Sequence, residues 1–152
     1  MAGVEIKFEG VEELSRRMKL IADSKTAKRI ARKAARQAMN IVRDAARQNA
    51  KSIDDPESPE KIWKNISTQA GKSKNPSEIK MRVGVRGGAS FSNPNPPNTS
   101  GGDTRHWRWI ELGRSGVPAV PFMRPALASN IQPVVNRFAE VFNAELDKEL
   151  LK

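Results

Sequence analysis

The sequence predicts an α+β fold in which a small antiparallel sheet packs against a long alanine-rich helix and a C-terminal helix. Three observations carry that expectation. Two short stretches alternate apolar and polar residues with a period of two, residues 26 to 50 hold neither proline nor glycine while placing alanine at helical spacing, and the last part of the chain bears a long apolar stripe.

Taking the elements in order, Val4, Ile6 and Phe8 alternate with Glu5, Lys7 and Glu9, which predicts a half-buried strand closed by Gly10. Leu14, Met18 and Ile21 then recur at helical spacing, with Glu12 and Glu13 in the first turn where the helix dipole favours acid, so a helix is expected from Val11 to about Ala22. The second helix should run from about Thr26 to Ala50, capped by Ser24 or Thr26. Its apolar face is mostly alanine, from Ala27 and Ile30 through Ala34, Ala38 and Val42 to Ala46, so a neighbouring backbone can come close. Residues 51 to 60 are turn-forming, Lys61 to Ser67 reads as a short helix with Ile62, Trp63 and Ile66 on one side, and a polar loop should follow through Pro76. Met81, Val83 and Val85 predict a second strand with a cationic outer face, and His106 to Leu112 reads as a third strand, with Trp107 and Trp109 sharing one parity, or as the lesser alternative a helical turn. Between these two, residues 87 to 104 are rich in Gly, Ser, Asn and Pro and too poor in apolar content to offset ordering entropy, so a mobile loop is expected. Gly113 to Pro125 holds three prolines and two glycines and should be rigid and extended, after which Pro125 opens a last helix running to about Leu151, broken or kinked at Pro133.

The 152 residues fit one domain, 1 to 152, long enough to bury a core without staples. There is no cysteine, which rules out disulfides and thiolate metal sites and suits assembly in a reducing cytoplasm. No apolar run approaches the ~18 residues of a membrane span, so no membrane partner is expected. Net charge is +10, and residues 25 to 51, with nine basic side chains and one acidic, hold most of the excess.

The familiar catalytic constellations are missing. The chain has one histidine and neither a nucleophile elbow nor a phosphate-binding Gly-Lys-Ser or Gly-Lys-Thr, and no His, Asp or Glu cluster has metal spacing. The expectation is therefore no enzymatic activity, no cofactor and no metal. His106 reads as packed or solvent-facing, and Asp54 and Asp55, beside Pro56, as turn residues.

The strongest physical signal is a cationic stripe. Lys25, Arg29, Arg32, Arg36, Arg43 and Arg47 fall at spacings of three, four or seven on one helix. Such a stripe can contact phosphates, meet an acidic partner or stay solvated, and no interleaved aromatic decides among these. The tryptophans also have two readings, core packing or interface anchor. Core is favoured for Trp63, while one of Trp107 and Trp109 could be core and the other a subunit contact.

The stretch Trp109-Ile110-Glu111-Leu112-Gly113, a short turn, then Pro121-Phe122-Met123-Arg124-Pro125-Ala126-Leu127 resembles the carboxy-terminal signature of a phage tail-completion family, the minor tail or head–tail joining proteins of long-tailed bacteriophages. The order of parts agrees along the chain, although Ser58-Pro59-Glu60-Lys61-Ile62 departs from the family's usual Thr-Gly-x-Leu. The resemblance implies a structural neck protein of the virion, assembled in the host cytoplasm. It would form a ring, expected to be a hexamer, that completes the tail and helps dock it to the head connector. The implied partners are other copies of itself, a tail terminator or tail tube protein, a head connector or closure protein and, in the lumen, genomic DNA. Trp107, Trp109, Glu111, Gly113, Pro121, Phe122, Arg124 and Pro125 become candidates for the subunit interface or family motif. In this reading Pro121, Phe122 and Pro125 fix the last helix against the core, with Glu111 and Arg124 as polar contacts at that junction or between subunits. The rival from another class is a small basic nucleic-acid-binding protein.

Overall fold

A computed structural model of the chain describes residue 19 and residues 22–75, 78–86 and 101–152. The expected opening strand lies outside the described residues, as does nearly all of the helix after it. The described elements are α1 (Ser24–Ser52), α2 (Ile62–Asn65), β1 (Ile66–Gly71), β2 (Lys80–Val85), α3 (Trp107–Leu112), α4 (Met123–Ala128) and α5 (Ile131–Leu150). The long helix packs against both the two-stranded antiparallel sheet and the C-terminal helix, an α+β arrangement.

Helix α1 is the organising element. Its cap is Asp23, whose carboxylate takes the backbone N–H of Lys25 and the Thr26 hydroxyl, rather than Ser24 or Thr26; the aspartate side chain reaches the first-turn amides that a helix cannot satisfy itself. Its buried positions are Ile30, Ala34, Ala38, Val42, Ala46 and Ala50, a strict step of four. Four residues overshoot one helical turn by about 40°, so this buried line winds round the helix as it ascends. At the amino-terminal end it belongs with α5, which lies antiparallel through Arg29 to Glu149, Lys33 to Glu145 at 2.8 Å and Arg137 to Gln37 at 3.2 Å. At the other end Val42, Ala46 and Ala50 join Ile66, Val85, Phe122 and Ala126 in the main core, with Trp63 and Trp107 packed against it.

The sheet pairs Ile66 with Val85 and Gly71 with Lys80. Strand β1 replaces the polar loop expected after the short helix, which ends at Asn65. Only Ile66 of the strand is buried among Ser, Thr, Gln and Ala, so its hydrophobic alternation is faint, and its stability comes from β2 and from α1. Arg47 donates twice to the Ile66 carbonyl, at 3.0 and 2.7 Å, and the Thr68 hydroxyl donates to Asn40 at 2.8 Å.

The expected third strand at 106 to 112 is instead helix α3. Trp107 and Ile110 pack on the core and Glu111 is buried, positions i, i+3 and i+4, while Trp109 and Leu112 face out. The final helical region is two helices. The break falls at Ser129 and Asn130, not at Pro133, which occupies the first turn of α5 where its missing N–H costs nothing. Leu127, Ile131 and Val135, part of the long apolar stripe expected of the last helix, lie exposed.

Most of the expected mobile loop, residues 87–100, lies outside the described residues. Its last four residues are held by the buried Asn65. The Asn65 amide donates to the Gly102 carbonyl at 3.1 Å and the Thr104 hydroxyl at 2.9 Å, and its oxygen accepts from the Gly101 N–H at 2.9 Å. The Asn65 carbonyl also takes the Arg86 N–H at 2.7 Å, so both sides of the loop meet on one residue. A Cβ on Gly101 would stand 2.3 Å from the Lys61 carbonyl oxygen. Gly101→Ala is therefore expected to cost about 2–3 kcal/mol in a denaturant titration, and an unchanged midpoint would show that the clasp yields freely.

Candidate assembly surface

The signature residues converge on one junction. Helix α3 stops at Gly113, which has φ +74° and whose added Cβ would lie 2.8 Å from the Ala119 nitrogen, so both conformation and space call for glycine there. The chain reverses through the Arg114–Val117 bridge, and the Val120 N–H returns to the Ile110 carbonyl at 2.8 Å. That reversal lays the start of α4 over Glu111.

Glu111 then caps α4 from outside the helix. Its carboxylate accepts the backbone N–H groups of Phe122 at 2.7 Å, Met123 at 2.9 Å and Arg124 at 2.8 Å. The fourth amide of the helix entry would belong to Pro125, which has none. A glutamate and a proline therefore settle all four donors that a helix start leaves open. The Arg124 guanidinium closes the junction, donating to the Glu111 carboxylate at 3.2 Å and to its backbone carbonyl at 2.7 Å. Burial pushes the Glu111 carboxyl upward, but the amides of Met123, Arg124 and Phe122 and the Arg124 side chain outweigh it, so the group sits below the usual carboxylate range. Phe122 is fully buried, meets the Trp107 ring edge-on at 6.5 Å, and is held through its carbonyl by Asn49 of α1 at 3.2 Å. Pro121 is exposed and Pro125 half-buried.

Trp107 is thus a core residue, whereas Trp109 is 46% exposed with the Arg114 guanidinium over its ring at 5.2 Å. Trp109, Val117 and Val120 border a cleft of about 360 Å³, closed by His106, Ile110 and Pro118. A second apolar surface shares none of these residues. Leu127, Ile131 and Val135 follow one another at steps of four, and beside Leu127 a groove of about 330 Å³ runs over Met39, Met81, Val83 and Met123. In the sequence these three belong to the apolar stripe of the last helix, and the stripe by itself did not show which of its residues stay exposed.

The cationic stripe divides. Arg47 and Arg36 donate to the β1 carbonyls of Ile66 and Thr68, Arg43 pairs with the neighbouring Asp44, and Arg29 pairs with Glu149. Lys25 and Arg32 are exposed and have no ion-pair partner among the described residues. Asp54 pairs with Lys61 and Asp55 accepts the Glu57 N–H, both within the turn. Among the described residues no group of three or more His, Asp or Glu could hold a metal, and no helix is long and apolar enough to cross a membrane.

A family model described as bacteriophage HK97-gp10, a tail component, matches residues 12–113. The match ends at the glycine that closes α3, so the Pro121–Leu127 half of the signature lies beyond it. No curated protein and no solved structure matches the chain significantly.

Proposed function

Because the chain belongs to the HK97-gp10-like family of bacteriophage tail components, we propose that it works as a non-catalytic ring subunit that completes the tail and helps join it to the head. The observation that carries this reading is the pair of separate apolar surfaces, one around Trp109, Val117 and Val120 and the other along Leu127, Ile131 and Val135. A closed ring needs two different complementary patches on every subunit, because each copy meets its neighbours head to tail. The methionine-lined groove beside Leu127 suits such a contact, since unbranched thioether side chains adapt to the surface they meet. Glu111 and Arg124 serve this reading indirectly. They fix the start of α4 within the subunit, and so set the angle at which Leu127 and the exposed face of α5 are presented.

The remaining neck partners, a tail terminator or tube protein on one side and a connector or closure protein on the other, would dock on the two faces of the ring. The rival reading, a stand-alone nucleic-acid-binding protein, has less support because Arg29, Arg36, Arg43 and Arg47 of its stripe are engaged within the chain.

Light scattering coupled to size exclusion tests the ring directly. The purified protein should give a ring-sized mass at high concentration. Ile131→Glu combined with Val135→Glu should reduce it to subunit mass while leaving the melting midpoint unchanged, because both side chains are exposed. Subunit mass at every concentration, together with no cross-link between copies in assembled particles, would overturn the proposal.

A further inference from the structure

The hairpin between β1 and β2 adds cations to the part of the α1 stripe that remains open. Lys25, Lys28 and Arg32 follow one another at helical spacing, and Lys28 and Arg32 share a shallow recess of about 120 Å³ with Gly71, Ser73 and Lys80. Lys72 and Lys74 stand exposed on the same turn. Three of these six cations, Lys28, Arg32 and Lys80, line the recess with one carboxylate, Glu78, which holds the Ser73 hydroxyl and lies 3.8 Å from the Lys80 ammonium, and the Asp23 carboxylate lies beside Lys25.

We propose that this helix–hairpin face binds the phosphate backbone of duplex DNA without reading its sequence. The occupant follows from what surrounds the cations. Protein interfaces have apolar cores and are depleted of lysine, whereas five of the six cations here are lysines, and the apolar lining of the recess is limited to Ala70 and the half-buried Ile79 beside Gly71, Ser73 and Asn75. Among the described residues, six of the nine large exposed apolar side chains lie on the two surfaces assigned to subunit contact, and the other three, Ile53, Leu112 and Leu151, do not line the recess either. Duplex DNA carries one charge per ~1.7 Å of its axis, so a cluster of point charges in which cations outnumber carboxylates gains from it by releasing counterions. No aromatic side chain lines the recess to stack a base, so the contact is to phosphates alone. The proposal goes beyond the ring reading and does not depend on it, because the face lies within one subunit.

The test is a fluorescence-anisotropy titration of the full-length protein against a labelled duplex of mixed sequence across a salt series. If all six cations engage, the logarithm of the binding constant should fall with log salt at a slope of about −5. Lys28→Gln, Arg32→Gln and Lys80→Gln together should weaken low-salt binding at least tenfold and roughly halve that slope. A control that neutralises Lys64, Lys148 and Lys152 should change neither by more than about twofold. The melting midpoints of both variants and their subunit mass are recorded alongside, so a failure to fold or to form rings is seen separately. Equal losses in the two triple variants would overturn the proposal in favour of diffuse net charge. So would tighter binding of the wild type to polyglutamate than to DNA, which would assign the face to an acidic protein.

Discussion

Glu111→Ala is expected to destabilise the subunit by about 3–5 kcal/mol, because it strands three backbone donors and leaves the Arg124 guanidinium with the Glu111 carbonyl alone. For a chain of this length that is a fall in melting midpoint of roughly 10 °C. A carboxylate here does what a serine or aspartate does at an ordinary helix start, but from another helix, so losing it detaches α3 from α4 as well as uncapping α4. Arg124→Ala should cost far less, about 1 kcal/mol, since its side chain is 60% exposed and the main-chain donors keep their acceptor. A Glu111→Ala loss below about 1 kcal/mol would mean that water replaces the carboxylate at little cost.

The same residue sets a pH dependence. The Glu111 carboxyl lies below its ordinary value in the folded protein, so it stabilises the fold fully at pH above the unfolded carboxylate range. That contribution is lost as pH falls through the lower folded value, where the folded state must also take up the proton. Glu145, lowered by Lys33 and Lys148, and Glu149, lowered by Lys152 and Arg29, act in the same direction. Midpoints of wild type and Glu111→Gln measured from neutral to acid pH should therefore converge, while both fall.

Phe122→Ala should cost about 3–5 kcal/mol, the range for removing a fully buried phenylalanine. The ring joins Trp107 of α3 to the α1 and sheet residues of the core, and its neighbour amides are those that Glu111 receives. The double variant Glu111→Ala with Phe122→Ala should accordingly lose less than the sum of the two, because each change already frees the start of α4. Strict additivity in urea titrations would show that the capping and the packing are independent.

The long helix was legible because 25 residues of uninterrupted period leave little choice, and the second strand because alternation survives in Met81, Val83 and Val85. Strand β1 was not, since its partners rather than its own side chains stabilise it; yet a lone strand is never stable, and β2 required a neighbour. Helix α3 was ranked behind a strand because six residues hold less than two turns, too few to separate a period of 3.6 from one of 2. The informative spacing was Trp107, Ile110 and Glu111, with a carboxylate on the buried side. Glu111 and Arg124 were read as polar contacts at the junction or between subunits, and within the subunit the Arg124 side chain donates to Glu111. What no pattern could disclose was that four of the stripe's arginines are spent inside the chain, because their acceptors are mostly backbone carbonyls and distant carboxylates.

The winding of the buried line along α1 makes that helix sensitive to phase. From Ile30 to Ala50 the line turns by about 200°, and each end faces a different set of neighbours. Substituting one small residue for another leaves this geometry alone. Inserting or deleting a single residue near Ala38 would swing everything downstream by about 100°, taking Val42, Ala46 and Ala50 off the sheet while Ile30 and Ala34 still met α5. The helix can therefore change in composition without losing either set of contacts, but not in length between those two ends.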